Sequence, residues 1–136
     1  MAQILTFYSF NNLPNAVDIT QGVNINLIAD APMTLTAGSW LLTFYGTITN
    51  TSGGALEITQ MRTSFGTTTP TYVLVDQFIS PNIDFAAGQT FTFARTYNYY
   101  VPEDNSAMTF ALSPTTVAGA AGDFTIAYGL YIQKIS

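Results

Sequence analysis

An all-β, antiparallel sandwich of jelly-roll type with about eight strands is the fold class that this 136-residue sequence predicts. Three observations predict it. Thr, Phe, Tyr, Ile and Val dominate the chain, and these β-branched and aromatic types suit a pleated, half-buried surface. Several stretches alternate with a period of two, while the 3.6-residue period of an amphipathic helix is nearly absent. Clusters of Asn, Pro, Gly and Ser punctuate the stretches at the spacing of turns.

The clearest strand runs from Trp40 to Thr49. Trp40, Leu42, Phe44, Gly46 and Ile48 share one face, and Leu41, Thr43, Tyr45, Thr47 and Thr49 the other. The closing strand is equally clear: Phe124, Ile126, Tyr128, Leu130 and Ile132 form the expected core face, against Thr125, Ala127, Gly129, Tyr131 and Gln133. From Gln89 to Tyr100, Phe91, Phe93, Arg95, Tyr97 and Tyr99 alternate with Thr90, Thr92, Ala94 and Thr96. Weaker patterns predict strands at Gln3–Ser9, Gly22–Ile28, Ala55–Phe65, Thr71–Val75 and Met108–Leu112. In Ala55–Phe65 the alternation stumbles, with Leu56 and Ile58 on one parity and Met61 and Phe65 on the other. A β-bulge there reconciles the two.

Turns are expected at 11–15, 30–32, 80–82 and 102–105, and residues 115–123 read as a flexible loop of small residues. No internal repeat or linker divides the chain, so residues 1–136 are expected to form a single domain. Long strands, above all 39–49 and 124–134, fit a jelly roll better than an immunoglobulin-like sandwich, and the chain has no Cys pair to mark the latter. Several strands carry bulky side chains on both faces. One face packs against the second sheet, and the other requires a neighbour or stays exposed.

Only 8% of the residues are charged, and there is no Cys and no His. This removes thiolate nucleophiles, imidazole bases, Cys/His zinc sites, disulfides and haem ligation. Arg62, Arg95 and Lys134 are the only cations, too few for a phosphate-tracking nucleic-acid surface. No apolar run approaches the roughly 20 residues of a membrane-spanning helix. The N-terminal Met1-Ala2-Gln3-Ile4-Leu5 lacks a basic, then apolar, secretory pattern, so synthesis in a cytoplasm is expected. No cofactor is expected.

The eight acids are the only acid–base candidates. Glu103 and Asp104 adjoin in a Pro/Asn turn and read as solvated. Asp76 and Asp84 flank residues 77–83 and are the pair to test for the separation of about 5 Å that a retaining glycosidase requires. A Ca²⁺ site at Asp104-Asn105 or near Asp123 lacks the ligand spacing that marks a calcium loop. A Ser-Lys pair would need Lys134, which sits near the end of the last strand. No catalytic or metal-binding residue is therefore assigned. Arg62 and Arg95 lie within strands, and each is expected to meet an acid.

Tyr97, Tyr99 and Tyr100 place three phenols at one strand end. Exposed, they form a stacking platform for a sugar ring or an anchor for a protein partner. Packed inward, Tyr97 and Tyr99 belong to the core and Tyr100 caps its edge.

Three segments carry a resemblance. Leu35-Thr36-Ala37-Gly38-Ser39-Trp40-Leu41-Leu42-Thr43-Phe44 resembles the Ala-Gly-x-Trp strand opening of small virion-associated decoration, minor capsid and fibre-type proteins of tailed bacteriophages. Residues 57–68 resemble their next strand. Phe124–Lys134, with Tyr128-Gly129, resembles their closing strand, although Lys134 stands where several Arg are common. The layout is loosely similar to C1q/TNF-like jelly rolls. The resemblance implies Gly38 at a tight turn, Trp40 in the core, and a homotrimeric structural component of a virion, with no catalytic residue. The partners implied are the chain itself and other virion proteins, or a host surface glycan at a fibre tip, and neither nucleic acid nor membrane. In this reading aromatic strand faces bury in subunit contacts, and loops such as 66–71 and 115–123 vary the outer surface.

Overall fold

The structure is a computed structural model that describes residues 7–11, 16–28, 33–68, 71–79, 82–104, 106–120 and 122–136. The strands are β1 (Phe7–Asn11), β2 (Val17–Ile19), β3 (Ile25–Asn26), β4 (Met33–Leu35), β5 (Gly38–Asn50), β6 (Leu56–Thr68), β7 (Thr71–Ile79), β8 (Ile83–Phe85), β9 (Thr90–Val101), β10 (Ser106–Val117) and β11 (Phe124–Lys134). All are antiparallel to their partners, and no helix occurs among the described residues.

One sheet has the order β1-β11-β5-β9, with β2 continuing beyond β1 along β11. The other has the order β3-β10-β6-β7, with β4 also on β10 and β8 also on β6. The short strands thus share edge positions, and the eleven segments fill four strand positions per sheet. This is the antiparallel jelly-roll sandwich that the strand pattern predicts.

The core lies between the sheets and follows the expected parity. Trp40, Leu42, Phe44 and Ile48 of β5 are buried, as are Phe124, Ile126, Tyr128, Leu130 and Ile132 of β11. Phe44 is the hub, with ring centroids 5.0 Å from Phe93, 5.9 Å from Phe110, and 6.1 Å from Phe78 and from Tyr128. Such tilted and edge-on pairs add to the stabilisation from burial itself.

The expected bulge is present. Ile58 pairs with Val117 and Gln60 with Thr116, which leaves Thr59 as the extra residue of β6. Both Ile58 and Met61 are thereby buried despite their opposite parity. A second irregularity sets Thr115 aside in β10, beside Pro114, a residue that strands accommodate at bulges.

Several boundaries differ from the sequence reading. Residues 115–117, expected in a loop, complete β10, and residues 66–68 and 71 belong to β6 and β7. The small, β-branched composition that reads as flexible is tolerated there because neighbouring strands fix the backbone. The strand expected at Gly22–Ile28 shrinks to Ile25–Asn26; Gly22, at φ +78°, sits in a turn. β2, β4 and β8 are too short for alternation to reveal. The expected strand start at Gln3, the turns at 12–15 and 30–32, residues 80–81 of the turn at 80–82 and residue 105 of the turn at 102–105 lie outside the described residues.

Candidate functional site

The most distinctive surface is the outer face of the β11-β5-β9 sheet. Registered pairing aligns its outward residues in rows: Gln133, Leu41 and Asn98; Tyr131, Thr43 and Thr96; Gly129, Tyr45 and Ala94; Ala127, Thr47 and Thr92; Thr125, Thr49 and Thr90. None of these positions carries a charge. The opposite face of the sandwich does, with Glu57, Arg62 and Asp84 all exposed on β6 and β8.

Two glycine–aromatic pairs lie across β5. On the outer face, Tyr45 stands opposite Gly129 and its ring lies over it, so a Cβ there would collide with the phenol. Tyr45 also stacks on Tyr131, with centroids 5.9 Å apart and planes at 25°. On the inner face, the Phe93 ring covers Gly46, its cross-strand partner. An aromatic over a cross-strand glycine restores the packing that the missing side chain forfeits. The Tyr45 phenol is pushed above its ordinary value, first by desolvation and then by Tyr131.

The three tyrosines singled out above do not form one platform. Tyr97 points between the sheets: its hydroxyl donates to Asp76 Oδ2 at 2.7 Å and lies 2.9 Å from Thr63 Oγ1. Thr63 is itself buried. Burial raises the Tyr97 phenol well above its usual value, with the Asp76 carboxylate adding to the effect. Tyr99 also points inward and meets Phe65 edge-on at 4.8 Å. Tyr100 alone faces outward, at 64% exposure. Tyr99 and Tyr100 do line one shallow groove of about 370 Å³, with Ser39, Trp40, Asn98 and Ile135.

A second open groove, about 410 Å³, runs between β7 and β9 at one side of the sandwich. Val75, Asp76, Ala94, Arg95, Thr96 and Tyr97 line it. Arg95 Nε lies 3.6 Å from Asp76 Oδ2, and Arg95 Nη2 donates to the Phe78 carbonyl at 3.2 Å. The expectation that a strand arginine meets an acid thus holds for Arg95. It fails for Arg62, which the bulge in β6 leaves on the exposed outer side, opposite Ser113.

The two acids expected as a pair, Asp76 and Asp84, are not brought together. Asp76 stands opposite Thr63 and Asp84 opposite Glu57, so the two lie roughly 20 Å apart along β6 at the usual strand rise. Asp84 and Glu57 instead share Asn82, whose Nδ2 donates to Glu57 Oε2 at 3.2 Å and to Asp84 Oδ1 at 3.5 Å. Asp104 Oδ1 accepts from the Ala37 N–H at 2.7 Å, and Asp123 Oδ2 from the Ala120 N–H at 2.7 Å. These two carboxylates hold loops, and no group of three or more potential metal ligands occurs among the described residues. Lys134 Nζ donates to Thr36 Oγ1 at 3.0 Å and lies 6.0 Å from the Trp40 ring centre, where it caps the core.

Sequence reasoning missed Asn50, a fully buried polar residue at the end of β5. Its Nδ2 donates to the Gly54, Phe85 and Ala86 carbonyls at 2.9, 3.2 and 3.2 Å. Its Oδ1 accepts from the Ser52 N–H at 3.0 Å and from Ser52 Oγ at 2.7 Å. The only sequence signal was its place ahead of Thr51-Ser52-Gly53-Gly54, which reads as an ordinary turn.

No family model matches the sequence. No curated protein sequence matches it. Solved structures do match the fold. The structure of infectious bursal disease virus, Gx strain, aligns with 97% of the chain at a TM-score of 0.65 and 9% identity, and the match covers 33% of the viral chain. T=1 particles derived from infectious bursal virus align with 96% of the chain at 0.63 and 11% identity, over 31% of theirs. The globular domain of zebrafish complement 1qA protein aligns over 98% of each chain at 0.50 and 11% identity. The chain thus spans about a third of the length of the viral chains it matches. At these identities the likeness is one of fold, and the fold is a jelly roll shared by proteins of virus particles and a complement globular domain.

Proposed function

We propose that this chain is a structural protein of a virus particle and acts by packing against copies of itself and other particle proteins. The observation that carries the reading is the outer face of β11, β5 and β9, free of charge across every row, with Asp18 of β2 only at its margin. Removing charged groups from water is costly, so a face without them is inexpensive to cover. A soluble domain ordinarily carries about a quarter charged residues, and this chain carries 8%. The jelly-roll likeness to viral chains supports the same reading. Asp76 and Arg95 are engaged in an ion pair, Asp104 and Asp123 hold loops and Lys134 caps the core, and the reading assigns the chain no catalysis.

In finer terms, we place the protein with the decoration, minor capsid or fibre-type components of tailed bacteriophages, as a single domain over residues 1–136 that assembles as a trimer. The Ala-Gly-x-Trp opening supports this. Gly38 has φ +140°, with the Ser136 carbonyl and Lys134 where a Cβ would go, and Trp40 is buried. Mass spectrometry of purified particles encoded beside this gene tests the reading, which expects the chain among the stoichiometric components. Its absence from mature particles overturns the proposal. Light scattering of the isolated protein is expected to give the mass of a trimer or of two joined trimers.

A second reading rests on the groove that holds Tyr99 and Tyr100. An exposed phenol beside the amide of Asn98 offers a stacking face and hydrogen-bonding groups to a sugar ring. Under this reading the protein binds a host glycan at a fibre tip. Tyr100→Ala is then expected to abolish signal on a glycan array while leaving the fold intact. An array without signal for the parent protein removes this second reading only.

A further inference from the structure

We propose that β9 is a pairing edge, and that it joins β9 of a second copy in antiparallel register across a two-fold axis. The inference goes beyond the particle reading, because it rests on the edges of the sheets and not on their faces.

Each sheet has two edges, and three of the four are guarded. β1 and β2 divide one edge of the first sheet into segments of five and three residues. β3 and β4 divide an edge of the second sheet into two and three. On the remaining edge of that sheet, β8 contributes three residues, and β7 is interrupted: Met61 pairs with Ile79 but Thr63 with Asp76, so β7 bulges within Gln77–Phe78. Short, broken and bulged strands are the usual devices against edge-to-edge pairing. β9 has none of them. It runs for twelve residues, its register with β5 is unbroken from Val101 opposite Gly38 to Thr90 opposite Thr49, and its other side has no strand partner among the described residues.

Its one charge does not guard it effectively. Arg95 turns from the strand into the groove, where Asp76 and the Phe78 carbonyl already engage it. An inward charge deters pairing when it has to be buried alone, and this one has a counter-ion.

Charge and overlap select the register. In a continuous sheet, residues that face each other lie on the same side, so the axis passes through a residue position. The two positions nearest the middle of β9 are Arg95 and Thr96. An axis at Arg95 sets two guanidiniums face to face. An axis at Thr96 sets Arg95 opposite Tyr97 of the second copy, whose hydroxyl is bonded to its own Asp76. Each guanidinium then gains a second phenol–carboxylate partner. On the outer side this register matches Thr96 with Thr96, Ala94 with Asn98 and Thr92 with Tyr100, all uncharged. It joins Phe91 to Val101 of both copies, and the main-chain ladder supplies the affinity. The two uncharged outer faces become one continuous surface.

The absence of native Cys makes the test direct. In the full chain, Thr96→Cys places two thiols on the axis, at the separation of about 5 Å between facing Cα atoms that suits a disulfide. Thr92→Cys places them roughly 27 Å apart, by the strand rise. Under oxidised glutathione, T96C is expected to form linked dimers about tenfold faster than T92C, a rate difference set by that geometry. Equal rates, or faster linking of T92C, overturn the proposal. In parallel, Thr96→Lys is expected to halve the solution mass of the β9-paired species with the circular dichroism unchanged. An unchanged mass for folded T96K also overturns it. Particles that contain the chain without a T96C cross-link sink the β9 pairing and leave the particle reading standing. A T96C dimer from a chain absent from particles does the reverse.

Discussion

Among the described residues Asn50 and Thr63 are the buried polar side chains, and both are satisfied by hydrogen bonds, Thr63 through the half-buried Tyr97. Asn50 ties the end of β5 to the 52–54 turn and to the end of β8. Asn50→Ala leaves several of these carbonyls unpaired, and urea denaturation is expected to show a loss of about 2–3 kcal/mol. Tyr97, on β9 of one sheet, bonds to Thr63 and Asp76, which pair on the other. Tyr97→Phe is expected to cost about 1–2 kcal/mol at neutral pH, the usual effect of leaving such partners unmade. Its alkaline behaviour has a definite sign. The Tyr97 phenol is raised above the ordinary value of 10.0. Below that value the folded and unfolded chains are equally protonated. As pH rises beyond it the unfolded chain releases the proton first, so stability falls. Tyr45 and Tyr128 are shifted in the same direction. Denaturation at pH 8 and pH 11 is expected to show a drop for the parent and a smaller drop for Tyr97→Phe.

At the scale of elements, β5 and β11 were fully legible, because one face of each is buried against the other sheet and the alternation records it. The stumble in β6 was legible as a bulge for the same reason: Ile58 and Met61 both need the core. β2, β4 and β8 were not legible, since three residues cannot display a period. The end of β10 was misread because Thr115, Thr116 and Val117 precede a small-residue stretch and follow Pro114, and only the partner strand β6 fixes them. Of the tyrosine cluster, spacing gave the alternation of Tyr99 and Tyr100 but not which side faced solvent. The glycines of β5 and β11 were legible as strand positions, and their aromatic lids only in three dimensions. Gly129→Ala is expected to displace Tyr45 and cost about 1–3 kcal/mol by overpacking, measurable as a lowered urea midpoint. Paired Gly129→Ala/Tyr45→Leu is expected to recover part of the loss.

For the whole molecule, the sandwich divides its surface unequally, with charges on the β6 and β8 side and none on the rows of β11, β5 and β9. Thr47→Glu introduces one charge amid those rows. It is expected to leave the thermal midpoint within a few degrees, as surface changes of about ±0.5 kcal/mol do. Light scattering is expected to show loss of assembly where the face is covered, while retained assembly would move the contact elsewhere. The particle reading and the β9 pairing call on different surfaces, and that is what a closed shell demands. One contact closes a ring, and a second of another symmetry links the rings.

The uncharged rows have one more consequence. The rows of β11, β5 and β9 hold no acid or base and the chain has no histidine, so these rows contribute no charge change between endosomal and neutral pH. Nor have they charges for salt to screen. A contact made through these rows alone takes no pH or salt dependence from their side chains; the nearest acid on that side is Asp18, beside Thr125 at the β2 margin. Whatever releases such a contact acts by force, by proteolysis or by competition for the same face.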